Sequence, residues 1–170
     1  MGILTGYQKK QPLHYGEVYG MWSYLMAAQG FHSMLQTYSN HTGDKDLKKL
    51  IEELIQGVKT EIDEVQEVLK ENGVGLPPAP AEKPLASLED IPTGAKIADP
   101  EISASISKDL GEGLIACTTI VTQSTRDDIA MLFGQYHMNK AQVAAKALRL
   151  NKEKGWLITP PLHSKVPHHD

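Results

Sequence analysis

Seven histidines and twenty-one carboxylates are the groups in this 170-residue chain with which metal or acid–base chemistry could be done. Residues three or four apart share a helix face. Glu61 and Glu64 are so spaced, and Glu64 and Glu67 repeat the step. A di-iron or di-manganese centre in a helical bundle needs a Glu from each of two helices and a Glu-x-x-His pair from each of the other two. No Glu-x-x-His occurs anywhere in the chain, and the last long helical segment has no carboxylate near its middle. What remains is a reduced set in which Glu61 and His137 meet as a hydrogen-bonded pair or a single-metal site. The competing and favoured reading makes them a structural polar pair or two unrelated rim residues.

Two further groups belong to this search. His32 continues the apolar row Val18, Met21, Leu25 and Ala28, where Asp109 or Glu112 could reach it. A core-edge histidine with one hydrogen bond is the plainer expectation. Cys117, the single cysteine, lies on an apolar row with no basic neighbour in sequence to lower its pKa, so it reads as a buried inert thiol. His163, His168 and His169 in the tail are a weak metal signal. No catalytic residue and no cofactor is assigned, with iron, manganese or zinc at Glu61, His137 or His32 as the alternative.

The elements that must position these groups are helical. Apolar residues recur at three- and four-residue steps over four stretches, which predicts helices at about 14–41, 44–72, 99–124 and 126–154 of one domain spanning residues 1–170. The second carries the clearest stripe, from Leu47 through Leu54, Val58 and Ile62 to Leu69. Asp99 with Pro100 reads as an N-cap and first-turn pair for the third. Gly73 and Gly155 read as stops, and Lys70-Glu71-Asn72-Gly73 closes the second helix much as Lys152-Glu153-Lys154-Gly155 closes the fourth. Residues 73–98 hold five prolines and little periodicity.

A connector of that length can reach about 80 Å, against about 42 Å for a helix of this size, so it can carry the chain from one pole to the other. Two tight hairpins joined by one long link make an all-α, ferritin-like four-helix bundle with a Pro-rich crossover. The alternative is an up-down-up-down bundle with a disordered middle loop. In the crossover arrangement Glu61, Tyr24 and His137 fall near one level.

Composition narrows the partners. A net charge of −4 and a pI near 6.0, with no dense Lys/Arg cluster, exclude a phosphate-binding field, so no nucleic acid is expected. Nothing in the sequence reads as a membrane span or an anchor. At 170 residues the chain buries roughly 70% of its unfolded surface and needs no staples.

The Glu17-Val18-Tyr19-Gly20-Met21-Trp22-Ser23-Tyr24 stretch, the helix end at Gly73 with Pro77, the Ser124-Thr125-Arg126-Asp127-Asp128 turn and Lys154-Gly155-Trp156-Leu157 before Pro160-Pro161 resemble the DUF3231 proteins of endospore-forming bacteria. That group is ferritin-like and related to spore coat proteins of the F type. The resemblance covers about residues 13–165. It implies a spore coat or sporulation-associated protein without established reaction or cofactor, acting through self-association or contact with other coat proteins. A homodimer of single units is expected, in the cytoplasm of the producing cell or in the coat. The alternative is a divergent ferritin-like metal-binding protein or oxidase. A small-ligand carrier with a cavity under Trp22, Met26 and Met131 is a third reading.

Overall fold

Rows of Leu, Ile and Val at helical spacing fold into four long helices: α1 (Tyr15–His41), α2 (Lys45–Glu71), α3 (Asp99–Gln123) and α4 (Asp127–Glu153). The computed structural model describes residues 11–161 and 163, and no strand occurs among them. The inward rows meet in one core, where Met21, Leu25, Leu35, Leu47, Ile51, Val65, Leu69, Ile102, Ile106 and Phe133 have no exposed surface. Each such side chain contributes about 1.5–3 kcal/mol relative to staying in water.

Local chemistry sets the helix ends. His14 opens α1 with its Nδ1 accepting from the backbone N–H of Gly16 at 3.0 Å and Glu17 at 3.3 Å, while the Glu17 carboxylate accepts from His14 N at 3.1 Å. This is a capping box with an imidazole where a hydroxyl is usual. Asp44 opens α2 by accepting from Asp46 and Leu47. Gly73 and Gly155 sit at φ of 73° and 70°, a left-handed conformation that costs glycine little. Beyond them Val74 N donates to Leu69 O and Trp156 N to Asn151 O, both at 2.9 Å. The two hairpins therefore end in the same left-handed cap, as their sequences suggest.

Asp99 differs from its expected role. It is the first residue of α3 rather than the cap, which is Ala98. Its carboxylate turns away to accept from Thr42 Oγ1 at 2.7 Å and Gly43 N at 3.2 Å, tying the start of α3 to the α1–α2 turn.

These ties define the connectivity. The end of α1, the start of α2, the start of α3 and the end of α4 share one pole, where Lys154 Nζ also reaches Asp44 at 2.7 Å and Asp46 at 2.6 Å. At the other pole the start of α1 meets the α3–α4 turn and the end of α2. The chain thus leaves α2 at one pole and enters α3 at the other, and an up-down-up-down order is excluded. The connecting segment lies along α1. Gln36 Oε1 accepts from Lys83 N and Asn40 Oδ1 from Ala86 N, while Asn40 Nδ2 donates to Pro84 O and Trp22 Nε1 to Gly75 O. Carboxamides on one helix flank offer donor and acceptor together, which suits a proline-rich segment whose backbone groups have few partners of their own.

The far pole is organised by a buried carboxylate. Glu17 is 2% exposed and accepts from Thr125 N at 2.8 Å and Arg126 N at 3.0 Å in addition to His14 N. Arg126 sends its guanidinium to Asp128 at 2.6 Å and 3.0 Å and to Asn72 Oδ1 at 3.3 Å. Burial acts to raise the Glu17 pKa, but the N–H groups of Arg126, His14 and Thr125 outweigh it and hold the carboxyl below the ordinary glutamate value. A depressed folded pKa means that the stability from this group is complete above the unfolded value of about 4.3 and is lost as pH falls through the folded value. Glu17→Ala should cost about 3 kcal/mol in urea unfolding at neutral pH, because several buried donors lose their acceptor. Glu17→Gln should show a smaller fall in stability between neutral and acid pH than the wild type, and an unchanged acid limb would contradict the assignment.

Candidate functional site

All four helices contribute to a polar layer halfway along the bundle. On α2, Glu61 extends the Leu54–Val58 row inward and is 7% exposed. On α4, Phe133, Tyr136 and Lys140 follow at three- and four-residue steps, and the Lys140 side chain is 11% exposed. Tyr24 comes from α1 and Cys117 from α3, both buried. Lys140 Nζ lies 2.7 Å and 2.6 Å from the two Glu61 oxygens and 5.7 Å from the Tyr24 ring centroid. Tyr24 donates its hydroxyl to Glu61 at 2.7 Å, and Tyr136 donates to Glu64 at 2.7 Å. Tyr24 and Phe133 meet edge to face at 4.9 Å and Phe133 and Tyr136 at 5.3 Å, so the rings fix one another.

Gly113 on α3 explains how a lysine reaches the middle. A Cβ there would stand 3.1 Å from Cδ and Cε of Lys140, so the missing side chain is the space through which the lysine stem passes. Burial raises the phenol pKa of Tyr24 strongly, and the adjacent Glu61 charge adds to it. Tyr136 shifts the same way, by burial and by its bond to Glu64. Burial pushes the Cys117 thiol up to about 11 despite the nearby Lys140 charge. Burial thus favours the protonated form of both phenols and of the thiol, which surround the Glu61–Lys140 pair.

Beside the layer, α2 and α4 part to form a cleft of about 350 Å³. Its walls are apolar, with Leu54, Val58, Leu132 and Val143, and the Glu61–Lys140 pair lies at its floor. Glu64, Gln135 and Asn139 stand at the rim.

Of the residues singled out in the sequence, Glu61 is where its stripe places it, but His137 is not its partner. A helix turns about 100° per residue, and with Tyr136 and Lys140 facing the layer His137 lies on the flank of α4, outside the cleft. Lys140 takes the role. His32 borders a smaller groove of about 90 Å³ beneath the crossover with Gln29, Lys59, Gln66 and Glu82. Asp109 and Glu112 do not reach it and lie against Lys108, at 3.8 Å and 2.8 Å. Met26 and Met131, expected to cover a cavity with Trp22, are 50% and 72% exposed and do not line the cleft between α2 and α4. His163 is exposed, and His168 and His169 lie outside the described residues. Among the described residues no group of three or more His, Cys, Asp or Glu side chains is placed to hold a metal ion. The layer also suits a metal poorly on its own chemistry, since its one buried carboxylate already neutralises an ammonium.

Reading residues for metal ligands missed Lys140. Its signal was a charge on the row Phe133, Tyr136, Val143 and Ala147, where an apolar residue is expected. A buried pair broken on one side leaves an uncompensated charge, whereas replacing both partners by apolar residues is close to neutral. Lys140→Met should therefore cost about 3 kcal/mol in chemical denaturation, and Glu61→Leu with Tyr24→Phe, which also removes the hydroxyl that Glu61 accepts from, should recover most of that loss when combined with it.

Comparison with known proteins agrees with this architecture. The model of the family described as "Protein of unknown function (DUF3231)" matches residues 1–167. The protein named "Uncharacterized protein YvdQ" of Bacillus subtilis (strain 168) is 52% identical over 168 residues, covering 99% of each chain. The crystal structure of a protein of Bacillus halodurans C-125, titled a putative spore coat protein, is 52% identical, with a TM-score of 0.91 over 93% of this chain and 99% of that one. A conserved hypothetical protein of Mycobacterium tuberculosis, rv2844, shares the fold at 13% identity, with a TM-score of 0.66 over 79% of this chain and 96% of its own. The chain belongs to the DUF3231 family.

Proposed function

We propose that the protein is a ferritin-like bundle that serves the spore coat or sporulation as a structural and interaction component, without catalysis, by associating with itself as a homodimer or with other coat proteins. The observation that carries this reading is its 52% identity, over nearly the full length of both chains, to the Bacillus halodurans protein described as a putative spore coat protein. The central layer supports the non-catalytic part. Where a ferritin-type bundle would gather carboxylates and histidines around metal, this chain sets Lys140 against Glu61 and lines the rest with phenols and a thiol.

The alternative, a metal-binding protein or oxidase, has the helix connectivity in its favour, with one long crossover between two hairpins. Metal analysis of untagged protein separates the two. The coat reading expects iron, manganese and zinc each well below one per chain and no change in Tm in their presence; stoichiometric metal that disappears in Glu61→Gln would sink it. In a sporulating host the tagged chain should fractionate with spores and be released by coat extraction. Recovery from vegetative cytoplasm alone would count against a coat role, and light scattering of purified protein reads the dimer directly.

A further inference from the structure

We infer that the cleft between α2 and α4 is a binding site for a small organic cation, an amine with an apolar body, seated with its ammonium on Glu64. This goes beyond a coat role and stands or falls independently of it.

Size and lining come first. At about 350 Å³ the cleft lies within the range of small-molecule sites, about 300–1,000 Å³. Its walls are the side chains of Leu54, Val58, Leu132 and Val143, so a hydrocarbon or aryl body gains by leaving water there. Gly57, in the interior of α2, lies on the lining, and a Cβ built on it would meet nothing within 4 Å. Packing does not require a glycine at that turn, yet glycine costs about 1 kcal/mol against alanine within a helix. Its effect is to leave the wall open.

Charge then selects the head group. The lining holds Glu53, Glu61 and Glu64 against Lys140 alone, three acids and one base, a net of −2. Lys146, outside the lining, pairs with Glu53, and Lys140 is held by both oxygens of Glu61. Glu64 is left as the carboxylate at this cleft without a cationic partner among the described residues, and it accepts only from the Tyr136 hydroxyl. An ammonium entering with its apolar end inward meets that carboxylate at the rim. A carboxylate ligand would meet Glu64 instead and is repelled, because Lys140 and Lys146 are already paired with Glu61 and Glu53.

Three probes of like shape test this on the full chain: 2-phenylethylamine, 2-phenylethanol and 3-phenylpropionate, titrated by calorimetry and by chemical-shift changes at the side-chain amides of Gln135 and Asn139. The amine should bind about tenfold tighter than the alcohol, and the carboxylate weakest. Glu64→Gln, at an exposed position, should bring the amine to the level of the alcohol and leave the alcohol unchanged. Gly57→Leu, on the cleft lining at a position where an added Cβ meets nothing within 4 Å, should abolish binding of amine and alcohol while the Tm does not fall. Equal affinity for the three probes, absence of binding, or preference for the carboxylate would each overturn the inference. So would an amine affinity that survives Gly57→Leu, since the amine would then sit elsewhere.

Discussion

The architecture rests on how two hairpins, separated by a long proline-rich link, are held in a single register. Each hairpin can form from its own amphipathic stripes and tight turn, but nothing local dictates where one lies along the other. The Glu17 carboxylate supplies that at one pole, because it closes the first turn of α1 and also accepts from Thr125 and Arg126 at the start of α4. Sliding the hairpins by one helical turn, about 5.4 Å, would take the Thr125 and Arg126 donors away from a buried charge. At the opposite pole Asp99 performs the same kind of tie in a more exposed setting.

The central layer acts differently. A buried ammonium–carboxylate pair adds little net stability over well-packed apolar residues, yet it penalises every arrangement in which either charge loses its partner. Lys140 reaches Glu61 only if Gly113 faces the lysine stem and Tyr24 stands beside it. Four helices are therefore indexed against one another at mid-height, as Glu17 indexes them at one pole. The layer that would suit cations if it held more carboxylates is, in this chain, internally neutral at the pair.

Much of the fold could be read from sequence because the responsible signals are local. The Leu47–Leu69 stripe and the positive-φ glycines Gly73 and Gly155 are signals of neighbouring residues alone. Asp99 misled because Asp before Pro is a good cap in isolation, while its carboxylate found stronger partners across the turn in Thr42 and Gly43. The level of the central layer was legible by counting residues from the turns, and Glu61 lay on it. Its partner was not, since choosing between His137 and Lys140 requires the rotation of α4, which is set by the packing of Phe133 and Tyr136 against Tyr24. The cleft is a property of two helices that do not touch closely, and no spacing in either one announces it.

The segments that carry the family resemblance now have a physical meaning. Glu17 heads the first of them, Thr125 and Arg126 lie in the Ser124–Asp128 turn, and these are the two sides of the buried junction. Within the first segment Gly20 lets Ile120 of α3 approach to 3.2 Å of where a Cβ would stand, and Trp22 anchors the crossover at Gly75. Gly73 and Gly155 end the two hairpins. Every one of these residues positions backbone, and apart from Tyr24 none of them lines the polar layer or the cleft. These segments hold the junction at one pole and anchor the crossover, while Glu61 and Lys140 add a separate tie at mid-height. Resemblance at the junctions therefore speaks to the scaffold, while the chemistry of the cleft rests on Gly57, Glu61, Glu64 and Lys140, which lie outside those segments.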